Sequence, residues 1–251
     1  MKRKIDINCD LGELKPPDGN DLELMPLISS CNIACGYHAG DTVMMRETVA
    51  LAREHGVAIG AHPGYDDKEE FGRRFMELTD RELSDLVLIQ VEALQEIAAR
   101  IGCDLQHVKP HGALYNYLAR NYAQALIVAD TVQRIDRDLI LYVLSGSCSE
   151  TAANEVGITI AKEGFIDRQY LADGSLMARS HSEALITDVR VMGERAVKLA
   201  LGENIRDESG ASISIPCDTL CIHGDQPAAV ETAVAVRESL RRSRIEVKSL
   251  R

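Results

Sequence analysis

The residues best suited to chemistry are concentrated in Gln106-His107-Val108-Lys109-Pro110-His111-Gly112-Ala113-Leu114-Tyr115-Asn116. A lysine suits a phosphate or carboxylate, and histidine exchanges protons near neutral pH. Leu105 to Val108 reads as a short apolar strand. Pro110 can neither extend a strand ladder nor sit inside a helix, so the polar cluster belongs at a strand end or in the loop beyond it. With Val108 facing away, strand alternation sends Lys109 and His111 to one face. Gly112 then lets the backbone approach a ligand closely. Both side chains are expected at a rim, where replacing them leaves the fold intact.

The same format, an apolar run and then a polar burst, recurs along the chain. The first run displays Asp6, Asn8, Asp10 and Glu13; the second Asn32, His38 and Asp41; the third His62, Tyr65 and Asp66. The fourth is the stretch above, with Lys109, His111 and Tyr115. Later runs display Glu163, Asp167 and Arg168, and then His223 and Asp225. Together these groups can bind an anionic substrate, move protons and hold a divalent ion. Asp10 and Glu13 suit Mg²⁺ through water, because Mg²⁺ takes one or two carboxylates beside phosphate oxygens; His62 is a third metal candidate.

Several of these residues have purely structural readings. Asp10 can cap a turn, Asp41 the helix after it, and His107 can point inward to a backbone group. His55 ends a helix, where the dipole favours it, and His181 lies in a serine-rich loop. His107 and His111 have a zinc-like spacing, but Pro110 excludes the helix that would bring them together. Cys31/Cys35 and Cys217/Cys221 lie in extended segments, where i and i+4 stand roughly 13 Å apart. Seven irregularly spaced cysteines read as reduced thiols, not as a disulfide framework or a zinc site.

Positioning these loops requires alternating strands and helices. Strands are expected at Lys4–Asn8, Ser30–Cys35, Val57–Ala61, Leu105–Lys109, Leu139–Leu144, Ile158–Ala161 and Thr219–Ile222. Helices are expected at Thr42–His55, Asp80–Ile101, Tyr122–Ile135, Ser149–Val156, Asp188–Leu201 and from Pro227 to about Arg242. Thr79 and Glu82 form a capping box before the longest of them. A turn at Ser209-Gly210 suggests a hairpin ending at Ile213-Ser214-Ile215, and Lys15–Asn20, with two prolines, reads as a loop. Alternation of this kind builds a parallel sheet with right-handed crossovers. Rich loops follow six of the seven strands, which favours a closed ring over an open sheet with one crevice. The expectation is a single TIM-like (β/α) barrel domain over residues 1–251, with seven strands.

The bulk numbers exclude some partners. The 251-residue chain is 45% hydrophobic and 27% charged, with a formal net charge of -11 and a pI near 5.1. A nucleic-acid surface needs the opposite sign, and Trp is absent. No apolar run approaches a membrane span. Acidic residues follow the basic start at once, where a secretory signal needs an apolar segment, so a cytoplasmic protein is expected.

Six motifs, in this order, resemble the LamB/YcsF family. They are Asn8-Cys9-Asp10-Leu11-Gly12-Glu13, Asn32 through Asp41, Gly60-Ala61-His62-Pro63-Gly64-Tyr65, His107 through Asn116, Glu163 through Arg168 with Tyr170, and Asp218 through Asp225. The resemblance implies a barrel of the glycoside hydrolase/deacetylase type. It also implies ATP-dependent opening of 5-oxoproline to glutamate as the A component of a 5-oxoprolinase with B and C subunits, using ATP with Mg²⁺ and no tightly bound metal. A homo-oligomer is compatible with it. Under that reading Asp10, Glu13, Lys109, His111 and Asp167 are catalytic candidates. Asn8, Asn32, His38, His62, Tyr115, Glu163, Arg168, His223 and Asp225 are expected to contact substrate or nucleotide. One departure stands out: Leu14 to Asn20 replaces the family's usual Ser-Phe-Gly loop, which bears on substrate detail and subunit contacts. Two alternatives keep the same rim. One is a metal-dependent deacetylase acting on a carbohydrate amide, and the other a non-catalytic scaffold that holds a ligand for a partner.

Overall fold

β1 (Lys4–Leu11) alternates strictly, and both of its faces are buried. Ile5, Ile7, Cys9 and Leu11 join the apolar core under the helices. Asp6, Asn8 and Asp10 point the other way, into the ring. The structure, a computed structural model, describes residues 3–15, 18–226 and 228–251. The two prolines expected in the first loop and Pro227 as a helix start lie outside the described residues.

β1 is followed by β2 (Ser30–Ala34), β3 (Ala58–His62), β4 (Leu105–Val108), β5 (Ile140–Leu144), β6 (Thr159–Phe165), the short β7 (Ile205–Arg206) and β8 (Ser212–Ile213), β9 (Thr219–His223) and β10 (Glu246–Val247). β1 to β6 and β9 pair in parallel, each with its neighbour in that order, and β9 pairs back to β1. The result is a closed seven-stranded parallel barrel, a TIM-like α/β fold. β7 and β8 form the separate hairpin expected around Ser209-Gly210. β10 pairs with Lys4 and Ile5 at the start of β1, and Leu250 beyond it packs on Ile140, Tyr142 and Ala161. The chain end therefore covers the barrel floor.

The crossover helices are α1 (Asp21–Leu24), α2 (Thr42–His55), α3 (Asp80–Ile101), α4 (Gly112–Leu118), α5 (Tyr122–Ile135), α6 (Cys148–Val156), α7 (Val189–Leu201) and α8 (Ala229–Arg242). Asp41 caps α2 through the amides of Val43 and Met44. Thr79 and Glu82 close the capping box of α3, whose buried Leu83, Val87, Val91, Leu94 and Ala98 lie on one stripe. No helix among the described residues is long and apolar enough to cross a membrane.

The lower interior of the barrel is polar, which is costly unless every group finds a partner. Asp6, fully buried, accepts hydrogen bonds from Ser29 Oγ at 2.6 Å, Ser30 Oγ at 2.8 Å, Thr219 Oγ1 at 2.6 Å and the Tyr142 hydroxyl at 3.1 Å. Burial raises its pKa even against these four donors. This layer supports the one above it, where the candidate site begins.

Candidate active site

At the C-terminal ends of the strands the polar layer opens into a cleft of about 430 Å³. Its floor is built on Lys109, which is buried. Lys109 Nζ donates to Asp10 Oδ1 at 2.8 Å, Asn8 Oδ1 at 3.2 Å and Cys221 Sγ at 3.2 Å. Nζ also lies 2.9 Å from Glu163 Oε1, an ion-pair contact without hydrogen-bond alignment. Burial disfavours the Asp10 carboxylate, but His62, Lys109 and His223 outweigh it and hold its pKa well below the usual range. Burial likewise opposes the Lys109 charge, and Asp10, Cys221 and Glu163 reverse that, raising its pKa. The expectation of Lys109 as a rim lysine free for a ligand is thus corrected. Its charge is committed to two carboxylates beneath the cleft, because β4 ends one residue before it and the side chain still points into the ring.

Asn8, Asn32 and His107 form the support below. Asn32 Nδ2 donates to Asn8 Oδ1 at 2.7 Å and Asp10 Oδ1 at 2.8 Å, and His107 Nε2 donates to Asn32 Oδ1 at 2.7 Å. His107 points inward as expected, but to a side-chain amide and not to backbone. It stacks on Tyr142 and occupies the space left by Gly60, where an added Cβ would fall 2.1 Å from the ring. His107 and His111 are on different levels, as Pro110 required.

Above the floor, Glu13, His38, His62 and His111 bring their polar atoms within 4.8 Å of one another. His62 Nδ1 donates to the Lys109 carbonyl at 2.6 Å, and His111 Nε2 donates to the Phe71 carbonyl at 2.8 Å. His38 lies flat on His111, with ring centroids 3.8 Å apart, and its Nε2 is 3.3 Å from Glu13 Oε1. Burial pushes His38 down to about 4 and His62 down to about 3. The candidate metal residues Glu13 and His62 are therefore joined by His38 and His111, while Asp10 stands beside them, 3.5 Å from His62 Nε2.

The opposite wall carries His223, whose Nδ1 donates to Asp167 Oδ2 at 2.6 Å. Burial raises the Asp167 carboxyl, and the adjoining His223 more than offsets it, so its pKa is lowered. Asp167 itself faces a smaller neighbouring cavity, and His223 borders both. Arg168 NH2 donates to the Met177 carbonyl at 2.6 Å and its Nε has no partner. Burial, with Arg179 nearby, pushes this guanidinium down to about 10. Tyr115 lines the cleft, and Asp225, at its edge, pairs with Arg73. Asp41 caps a helix, and His55 and His181 are not among the residues lining the cleft. Arg73, Arg120 and Arg179 also line the mouth, and no sequence motif points to them. They come from a long loop, a helix end and a second loop, with no spacing to link them.

A closed parallel barrel with a polar cleft at the C-terminal ends of its strands has the layout in which (β/α) barrels carry their sites. The chain belongs to the LamB/YcsF family, whose model matches residues 5–251. The A subunit of 5-oxoprolinase from Heliobacterium modesticaldum is 46% identical over 248 residues, which cover 98% of each chain. The crystal structure of the lactam utilization protein from Thermus thermophilus matches with a TM-score of 0.93 at 41% identity, over 98% of this chain and 100% of that one. A family 4 carbohydrate esterase from Streptomyces lividans shares the fold alone, with a TM-score of 0.51 at 9% identity over 100% of this chain and 95% of that one.

Proposed function

We propose that this chain, acting as one barrel domain, is the A subunit of an ATP-dependent 5-oxoprolinase. It would hydrolyse 5-oxo-L-proline to L-glutamate as ATP becomes ADP and phosphate, with B and C subunits and with Mg²⁺ arriving on the nucleotide. The observation that carries this reading is likeness over nearly the whole chain to a protein of that name. The chemistry of the cleft is compatible with it. A lactam carbon is a poor electrophile, and phosphorylation of its oxygen would activate it. Such a step needs anion ligands, a positioned water and a proton acceptor.

In this reading Arg168 and Arg179 form the anion wall, since two neighbouring guanidiniums are relieved by phosphate or carboxylate. Arg73 and Arg120 extend it at the mouth. Asp167 fixes the ring of His223 through Nδ1, leaving Nε2 free to take or give a proton. Asp10, held ionised by Lys109, supplies fixed negative charge at the floor. Asn8, Asn32 and Glu163 position that charge from below without reaching the ligand. Tyr115 contributes an apolar wall with a hydroxyl at its end.

The test is glutamate release from 5-oxoproline, ATP and Mg²⁺, by this chain alone and then with its B and C partners. Glutamate and ADP should appear together, and only in the assembled system. Full ring opening by the isolated chain without ATP would overturn the proposal.

A further inference from the structure

The hydrogen bonds around His62 and His111 leave an electrostatic problem. A carbonyl oxygen only accepts, so Lys109 O fixes the proton of neutral His62 on Nδ1, and Phe71 O fixes that of neutral His111 on Nε2. The remaining nitrogens, His62 Nε2 and His111 Nδ1, then face each other 2.9 Å apart with lone pair against lone pair. Glu13 Oε1 adds a carboxylate at 3.3 Å from His111 Nδ1 and 3.8 Å from His62 Nε2. His38 Nε2 approaches the same oxygen at 3.3 Å, and the His38 Nδ1 is buried without a partner. Four electron-pair donors thus converge on one point, and a cation there would satisfy all of them.

We propose that Glu13, His38, His62 and His111 bind a divalent transition-metal ion. Tetrahedral bonds of about 2.1 Å place ligand atoms roughly 3.4 Å apart, which is the scale of the separations above. Three imidazoles and one carboxylate suit Zn²⁺, Co²⁺ or Ni²⁺ rather than Mg²⁺. The outer hydrogen bonds to Lys109 O and Phe71 O are those that orient metal-bound histidines elsewhere. The loop is shaped around the rings. Gly72, at φ 63°, has no Cβ where one would lie 2.7 Å from His38 Cβ and 2.9 Å from His111 Cδ2. The other convergence of ligand types, Asp10, Cys221 and His223, is not comparable, because Lys109 Nζ already serves Asp10 and Cys221. Glu13, His62 and His111 border the cleft, so the ion would stand beside a ligand bound there and would reach its oxygen only by expanding to a fifth position.

The site does not depend on which substrate the cleft takes, so its test leaves turnover aside. The full chain, stripped with a chelator, is titrated with Co²⁺ by visible absorption and with Zn²⁺ by calorimetry. A single ion per chain is expected, and Zn²⁺ but not Mg²⁺ should raise the melting temperature of the wild-type chain. Glu13→Gln, His38→Gln and His111→Gln should each lower affinity by at least about 100-fold, the upper end of what losing an outer partner costs. Absence of both Co²⁺ bands and Zn²⁺ stabilisation in the wild type would overturn the proposal. So would undiminished affinity in the folded variants, or an imidazole nitrogen spectrum showing His111 doubly protonated with Zn²⁺ present.

Discussion

Lys109 balances the charge of two buried carboxylates, Asp10 and Glu163, and this sets what its removal would do. Losing one partner of a buried ion pair commonly costs about 3–5 kcal/mol, because the charge left behind is neither solvated nor paired. Lys109→Met should therefore destabilise the chain by about that much, measured by urea unfolding at neutral pH. An unchanged midpoint would show that water reaches the floor freely. The sequence suggested a mild, rim-type effect, because strand alternation gives the direction of a side chain but not its depth. His223 is a different case. It borders the cleft and is fixed by Asp167, so His223→Ala should cost less stability than losing Lys109, since the one buried carboxylate it leaves unpaired, Asp167, keeps Arg179 and Arg168 nearby. It should lower turnover of the assembled enzyme roughly 10²- to 10⁴-fold, the range for a positioned acid–base group. Steady-state rates within threefold of wild type would remove it from the reaction.

The long helices were legible because their signals are local. The capping box at Thr79 and the apolar stripe behind it specify α3 without reference to anything distant. Thr79→Ala should cost about 1 kcal/mol in thermal or urea unfolding, as loss of an N-cap does; no change would mean that packing alone holds this end. Three elements escaped, the four-residue α1 (Asp21–Leu24) among them. α4 starts at Gly112, directly after the polar cluster, and its chemistry obscured its helical character. β10 is two residues long and exists only because β1 offers a partner, which no local pattern announces. The site divided in the same way. Strand-end motifs located Asp10, Lys109, His111 and His223. The pairing of His38 with His111 depends on the fold of the 63–79 loop, which crosses over both rings. That loop makes its own prediction. Gly72 has a left-handed backbone and no room for a Cβ against His38. Gly72→Ala should therefore disturb the histidine cluster before it unfolds the barrel, seen as shifts of the histidine ring resonances with little loss of helical circular dichroism.

At the scale of the whole molecule, the barrel replaces the usual apolar filling by a polar column from Asp6 up to Lys109, covered below by Leu250. Histidines enclosed in such a column must stay neutral, and that gives the fold a defined response to acid. His107 is fully buried. Burial first, and then repulsion from Lys109 and His62, pushes it down to about 3 from an ordinary value of 6.5. The unfolded chain takes up this proton as pH falls below 6.5, and the folded chain does not until about 3. The unfolded state therefore binds more protons throughout that window, so stability rises with pH inside it and is independent of this group above it. The slope approaches about 1.4 kcal/mol per pH unit for one histidine, or about 2 kcal/mol between pH 6.5 and about pH 5. His38 and His62, also held low by burial, act in the same sense. Asp6 acts in the opposite one, since its raised pKa makes protonation favour the folded state. Comparing wild type with His107→Gln isolates the one group, because everything else titrates in both. Urea unfolding of the two chains from pH 7 to about pH 5 should show wild type losing stability more steeply, by up to one proton per molecule. Parallel profiles would mean that His107 accepts its proton in the folded barrel, and that the column beneath the cleft is open to water.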